Sequence, residues 1–330
     1  MKKLLPVQTI VLVLTVVTAA SIFSTCSKKK SSPAGPSATA TPGQGAIWAG
    51  AAGSAAFSGR YLHAGIVYNN MMWVIAGYND SYLADVWSSS DGATWNQATG
   101  TAGFTVRAGE GSVVYNNMMW VIGGYNGSVE LNDVWNSSDG VTWNQVTGTA
   151  VSGGRAYFGS LVYNNKMWVI GGWTSSVDLS DVWNSNDGAT WTQVTGTAVF
   201  GARDGFGSLV YNNKMWVIGG WTGSAWLNDV WNSSDGLTWT QVTGAAGFDA
   251  RERFGSLVYN NKMWVIGGGG NVSLLNDVWS SSDGITWTQA TGGAGFSARD
   301  GMASLACNNK MWVIGGWTGS VLLNDVWWAQ

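Results

Sequence analysis

Tryptophan recurs along this chain at a nearly constant interval. Trp73, Trp120, Trp168, Trp216, Trp264 and Trp312 each sit in a Met-Trp-Val-Ile context, spaced 47 and then 48 residues apart. A second series, in Asp-Val-Trp, places Trp87, Trp135, Trp183, Trp231, Trp279 and Trp327 at a constant 48. A third, in Thr-Trp, gives Trp95, Trp143, Trp191, Trp239 and Trp287. Self-similarity of this period marks architectures in which one small unit buries its apolar faces only against its neighbours.

Each unit divides into four short strands. Strand a reads Gly-Ser-Leu-Val-Tyr and is closed by a tight turn such as Asn164-Asn165-Lys166. Strand b is Lys-Met-Trp-Val-Ile-Gly-Gly, strand c is centred on Asn-Asp-Val-Trp, and a Ser-Ser-Asp-Gly turn leads into strand d, Thr-Trp-Thr-Gln-Val. Asn-Asn and Asp-Gly suit hairpin turns because these residues tolerate positive φ. Strand b is apolar on both faces, as a sheet packed between two neighbours requires. Four antiparallel strands per unit, stacked radially, make a propeller blade, so the expected fold class is all-β, a six-bladed β-propeller.

The third tryptophan series has five members where the others have six. The chain ends at Asp325-Val326-Trp327-Trp328-Ala329-Gln330, directly after strand c of the last unit. Trp48 precedes Arg60 by 12 residues, the interval that also separates Trp95 from Arg107 and Trp143 from Arg155. The segment around Ile47 and Trp48 is therefore expected to supply strand d of the last blade. Closure of this kind leaves no sheet edge open at the join.

Composition divides the chain further. All four prolines (Pro6, Pro33, Pro36, Pro42) precede residue 45. Residues 1–26 read as an export signal, with Lys2 and Lys3 ahead of the apolar run Leu4 to Ile22. The run ends at Phe23-Ser24-Thr25-Cys26, similar to a bacterial lipobox, which makes Cys26 the candidate lipidation site. A signal cleaved near Ala19-Ala20 and an uncleaved anchor are the alternatives. Residues 27–45 are polar, small and Pro-rich, a flexible tether; residues 46–330 form the repeat domain. The expected location is the cell envelope, on the outer or cell-surface face, with a lipid holding the chain to a membrane. Cys307, the other cysteine, stands where other repeats have Tyr, so no structural disulfide is expected. Five of the 16 Lys and Arg precede residue 46, leaving 11 against 19 Asp and Glu and a domain charge near −8. An acidic surface disfavours nucleic acid as a partner. A monomer without a cofactor is expected.

Several of these features resemble the Kelch repeat. They are the Gly-Gly pair that ends strand b (Gly123-Gly124, Gly171-Gly172, Gly219-Gly220, Gly267-Gly268, Gly315-Gly316), the later Trp, and Arg60-Tyr61-Leu62-His63 before strand a. Blade 1 departs from the pattern with Ala76-Gly77. The resemblance covers residues 46–330 and implies the propeller, but it spans enzymes, scaffolds and binding modules and so leaves function open. The Ser-Ser-Asp-Gly-x-Thr-Trp turn is also similar to the Asp-box of sialidase propellers, which implies a structural role for Asp91, Asp139, Asp187, Asp235 and Asp283.

Differences between copies concentrate in the three residues after the repeat Arg and in the b–c loop. Antiparallel order puts the d–a and b–c connections on one face of the ring, and a face that diverges among near-identical copies is where a ligand is sought. Two sets of residues stand out there. The first is one arginine per blade: Arg60, Arg107, Arg155, Arg203, Arg251 and Arg299, expected to circle the channel mouth and suited to carboxylate capture. Glu110, Asp204, Glu252 and Asp300 lie close in sequence and could neutralise them; a structural role is the competing expectation. The second is the aromatic after the Gly-Gly position, Tyr78, Tyr125, Trp173, Trp221 and Trp317, with Gly269 breaking the series and Trp226 adding a ring in the b–c loop of blade 4. Such rings suit the apolar faces of sugars; packing of the blade edge is the alternative.

Catalysis finds little support in the residues. His63 is the only histidine, no cluster has metal-ligand spacing, and Arg60, Tyr61, Glu110 and Glu252 are the pieces from which a sialidase-like site could be assembled. The leading expectation is an exported binding module for a glycan or a protein. A glycan-processing enzyme (a sialidase-like hydrolase or a sugar mutarotase) and a purely structural surface protein are the alternatives.

Overall fold

The computed structural model describes residues 47–151 and 153–330. The segments expected to be an export signal (1–26, with Cys26) and a tether (27–45) lie outside the described residues. The rest forms six antiparallel sheets arranged as blades. Strands a, at Ala64–Tyr68, Gly111–Tyr115, Gly159–Tyr163, Gly207–Tyr211, Gly255–Tyr259 and Ala303–Cys307, each contact the next blade's strand a until the circle closes. They therefore line the central axis, and strands b, c and d follow outward in order.

Blade 6 is completed as the interval from Trp48 to Arg60 predicts. Ala49–Ala52 pairs antiparallel with strand c, Leu322–Ala329. Trp48 is buried against Phe296, ring centroids 5.1 Å apart and nearly perpendicular.

Strand b is the most deeply buried element because it meets both neighbours. Met119, Val121 and Ile122 are almost without exposure, and Trp120 keeps its indole satisfied by donating to the Tyr115 carbonyl. Five of the six strand b Trp residues, all but Trp264, also cover the Asp-Gly turn of the following blade. A Cβ at Gly140 would come within 2.2 Å of the Trp73 ring, so both the positive φ and the contact demand glycine. The Gly-Gly pair marks a bulge. Pairing slips between Ile122 and Gly124, Gly123 has φ 54°, and a Cβ there would sit 3.0 Å from the carbonyls of Arg155 and Leu131.

The Asp-box-like turns are built from within. Asp139 Oδ1 accepts from the N–H groups of Val141 and Thr142, both at 2.8 Å, and from Ser137 Oγ at 3.0 Å. These bonds hold its carboxyl below the usual range. The same bonds recur at Asp91, Asp187, Asp235 and Asp283.

Candidate functional site

The six repeat arginines do not circle the channel mouth. Arg60, Arg107, Arg155, Arg203, Arg251 and Arg299 are buried inside the blades, at most 2% exposed. Each guanidinium forks onto the Asp of the Asp-Val-Trp motif (Asp85, Asp133, Asp181, Asp229, Asp277 and Asp325), with the Nη1 contact at 2.5–2.8 Å. Nη1 also donates to the carbonyl of the first residue of the Gly-Gly position, at 2.9 Å for Ala76 and 2.8 Å for Gly123. The Trp two residues after each Asp donates to the same carboxylate, as Trp135 does to Asp133 at 2.7 Å. The correction to the expected ligand role has a simple cause. A desolvated guanidinium takes the nearest carboxylate that matches its planar fork, and strand c presents one in every blade.

The channel mouth is instead closed by the residue two positions after each arginine. Leu62, Gly109, Tyr157, Gly205, Arg253 and Gly301 all have φ between 50° and 65°. Each N–H donates to the carbonyl of its counterpart in the preceding blade at 2.7–2.9 Å, giving a closed cycle of six hydrogen bonds. Large side chains alternate with glycine for steric reasons. A Cβ at Gly109 would lie 2.4 Å from the Tyr157 ring, and one at Gly205 would lie 3.3 Å from Arg253 Cγ. Arg253 is thus the arginine at the mouth, its guanidinium 5.1 Å from the centre of the Tyr157 ring.

Around this cycle runs an aromatic belt. Trp317, Tyr61, Tyr78, Tyr82, Tyr125 and Trp173 follow one another at centroid distances of 5.0–6.2 Å. The backbone places them, since the residue after the Gly-Gly position pairs with the residue after the arginine that precedes strand a of the same blade, as in Ala156 with Trp173 and Asp204 with Trp221. All six rings are half-buried. Trp226 packs against Trp221 with ring centroids 4.4 Å apart and planes tilted by 55°, and donates Nε1 to Glu252 at 3.3 Å. Gly269, which breaks the aromatic series, is the backbone partner of Glu252 and leaves it open to Trp226. Val129, Val177, Val272 and Val321 stand exposed on the b–c loops outside the belt.

The belt opens into a cleft of about 440 Å³ between blades 2 and 5. Tyr125, Trp173 and Trp221 form walls, and Asp178, Asp204, Glu252 and Arg253 supply the polar lining. Burial, together with the charges of Glu252 and Asp178, outweighs the pull of Arg253 and raises the Asp204 carboxyl to about 7. Burial and the charge of Glu252 also raise the Asp178 carboxyl beside it. Burial raises Asp300 to about 6 in the same way, with Arg253 opposing. Deeper in the channel Glu110 accepts the Ala64 N–H at 3.1 Å and is raised to about 8 by burial. His63, also buried, is pushed down to about 3.

The four pieces considered for a sialidase-like site are not free to act as one set. Arg60 is committed to Asp85, and the Glu110 carboxyl is held on Ala64. Tyr157, the phenol nearest Arg253, is raised to about 12 by burial, the opposite of an activated nucleophile. Among the described residues no three His, Cys, Asp or Glu side chains converge as metal ligands do. Tyr82, Tyr157, Asp178 and Arg253 went unselected at the sequence level. All four lie in the divergent d–a and b–c segments, Arg253 two residues after the repeat arginine Arg251.

A Kelch motif model matches residues 107–136, 154–184, 202–232 and 298–328, in blades 2, 3, 4 and 6. No curated protein sequence matches the chain. The solved structure of YjhT superposes with a TM-score of 0.69 at 16% identity, covering 84% of this chain and 95% of that one. At that identity the likeness concerns the fold. The matched segments each run from the repeat arginine to the Asp-Val-Trp motif, the residues that hold a blade together, and so this chain is a six-bladed β-propeller carrying Kelch motifs.

Proposed function

We propose that this chain is a binding module that holds a carbohydrate on its d–a/b–c face, in the cleft between blades 2 and 5. The observation that carries the reading is the half-buried rings of Tyr125, Trp173 and Trp221 beside Asp178 and Asp204 in one 440 Å³ cleft. That volume suits one or two sugar rings, and such sites combine apolar walls with a few convergent polar groups. Aromatic faces take the C–H face of a pyranose while carboxylates accept from its hydroxyls. The export signal expected from the sequence, with Cys26 at its end, agrees with a module displayed where glycans are found. Calorimetric titration of the full chain with saccharides selected on a glycan array tests the reading. Trp173→Ala combined with Trp221→Ala is expected to weaken binding at least about tenfold. Unchanged affinity in that double variant rejects the site.

A second reading draws on Asp204. A carboxyl raised to about 7 beside a second carboxyl can both give and take a proton near neutrality. Acid–base chemistry on a bound sugar, such as anomer exchange, fits that pair. The test is proton NMR of anomer equilibration, which Asp204→Asn is expected to slow to the uncatalysed rate.

A further inference from the structure

We propose that the sugar taken by this cleft carries a free, protonated amine, and that the ammonium sits against Asp178 and Asp204. The proposal rests on the carbohydrate reading and adds the chemical class of the ligand.

The argument begins with charge. Asp178, Asp204 and Glu252 line the cleft, and Arg253 alone among its lining residues is cationic. Arg253 is already engaged, over the Tyr157 ring at 5.1 Å and 3.4 Å from Glu252. Three carboxyl groups against one guanidinium leave the lining net acidic, which disfavours an anionic sugar.

The second observation is an unmet buried acceptor. Asp204 is 4% exposed, and no hydrogen-bond donor of the protein reaches its Oδ1. A buried carboxylate oxygen without a donor is costly, and a ligand donor at that point removes the cost. An organic cation fits better than a metal, because the carboxylates do not converge as metal ligands do. The walls agree: Trp and Tyr faces attract ammonium groups as well as pyranose C–H faces.

The titration of the cluster points the same way. The groups facing Asp204 are Asp178, Glu252 and Arg253, with Trp221 as its backbone partner. Asp204 at about 7 reports a site short of positive charge. An incoming ammonium lowers that value, so binding releases protons at pH 6, and affinity rises from pH 5 to 7 while the amine stays protonated.

Calorimetric titration of the full chain with β-linked disaccharides of glucosamine, of N-acetylglucosamine and of glucose tests the proposal. The glucosamine form is expected to bind at least about tenfold more tightly than the other two at pH 7. Its heat is expected to vary with the ionisation enthalpy of the buffer at pH 6, as proton release requires. Asp204→Asn, nearly isosteric, and Asp178→Asn, on the half-exposed partner, are each expected to abolish the preference without lowering the melting temperature. Equal affinity for the amine and N-acetyl forms overturns the ammonium and leaves the carbohydrate reading standing. Retention of the preference in both variants overturns the placement. Binding of none of the three overturns the ammonium, and failure of the whole glycan array overturns the carbohydrate reading with it.

Discussion

The Arg107 side chain and the Arg107 backbone belong to different blades. Its N–H donates to the Leu83 carbonyl and its own carbonyl accepts from Gly77, both in blade 1, while its guanidinium holds Asp133 and Gly123 in blade 2. One residue per blade thus ties each sheet to the next. Removing Asp133 leaves a buried cation with only carbonyl acceptors. Asp133→Ala is expected to cost about 3–5 kcal/mol in urea unfolding, the usual penalty for breaking a buried pair from one side. A cost below about 1 kcal/mol would contradict the account. The arginine and the Asp-Val-Trp motif were both plain in the sequence, but their partnership was not. They lie 26 residues apart, and nearer acids such as Glu110 and Asp204 looked like the natural partners. Only strand order, which puts c two strands out from a, decides which carboxylate the fork reaches.

A blade is an element that cannot stand alone, and its join with the next depends on matching parts. The tyrosine of strand a reaches across to the Asn-Asn turn of the next blade, as Tyr115 does to Asn165 at 2.8 Å. At the ring's seam Cys307 replaces that tyrosine, and Asn308 Nδ2 bonds Ser90 at 3.0 Å instead. The other compensation is the closing strand. Trp48 and Trp143 occupy equivalent places and are 7% and 6% exposed, each edge-on to a phenylalanine at 5.1 Å. Trp143 Nε1 also donates to the Gly140 carbonyl while Trp48 Nε1 has no partner, so Trp143→Ala is expected to cost about 3–5 kcal/mol and Trp48→Ala somewhat less. A much smaller loss for Trp48→Ala in chemical denaturation would mean that the seam is not closed in solution. Closure was readable before the fold because the 12-residue interval is arithmetic on a repeat. The Asn308 bond was not, since nothing in a sequence ties residue 308 to residue 90.

Across the whole molecule, the constant parts of the repeat face outward and between blades, and the differences gather at the axis. The three variable residues after each arginine become the belt partners, the hydrogen-bonded cycle and the channel lining. Their divergence was visible, but the alternation of Leu62, Tyr157 and Arg253 with glycine acquires meaning only once six residues at positive φ meet around one axis. Gathering titratable groups there also sets the pH response. Glu110, Asp204 and Asp300 have folded values raised to about 8, 7 and 6, so they hold protons in the folded chain that the unfolded chain has released. Their contribution is full below the ordinary carboxylate range and is lost as pH rises through those values. His63 acts in the opposite sense. Its value, depressed to about 3, gives stability present above 6.5 and lost on acidification. The carboxylates outnumber it, so the urea midpoint is expected to fall from pH 5 to about pH 8 and to level off above it. Glu110→Gln keeps an acceptor for Ala64 but cannot ionise. It is expected to flatten that slope and to exceed the parent by roughly 1–3 kcal/mol at pH 9. His63→Phe, the residue that stands at this position in blades 3, 4 and 5 as Phe158, Phe206 and Phe254, is expected to flatten only the acid limb. A Glu110→Gln profile parallel to the parent above pH 7 would place the proton uptake somewhere other than the channel.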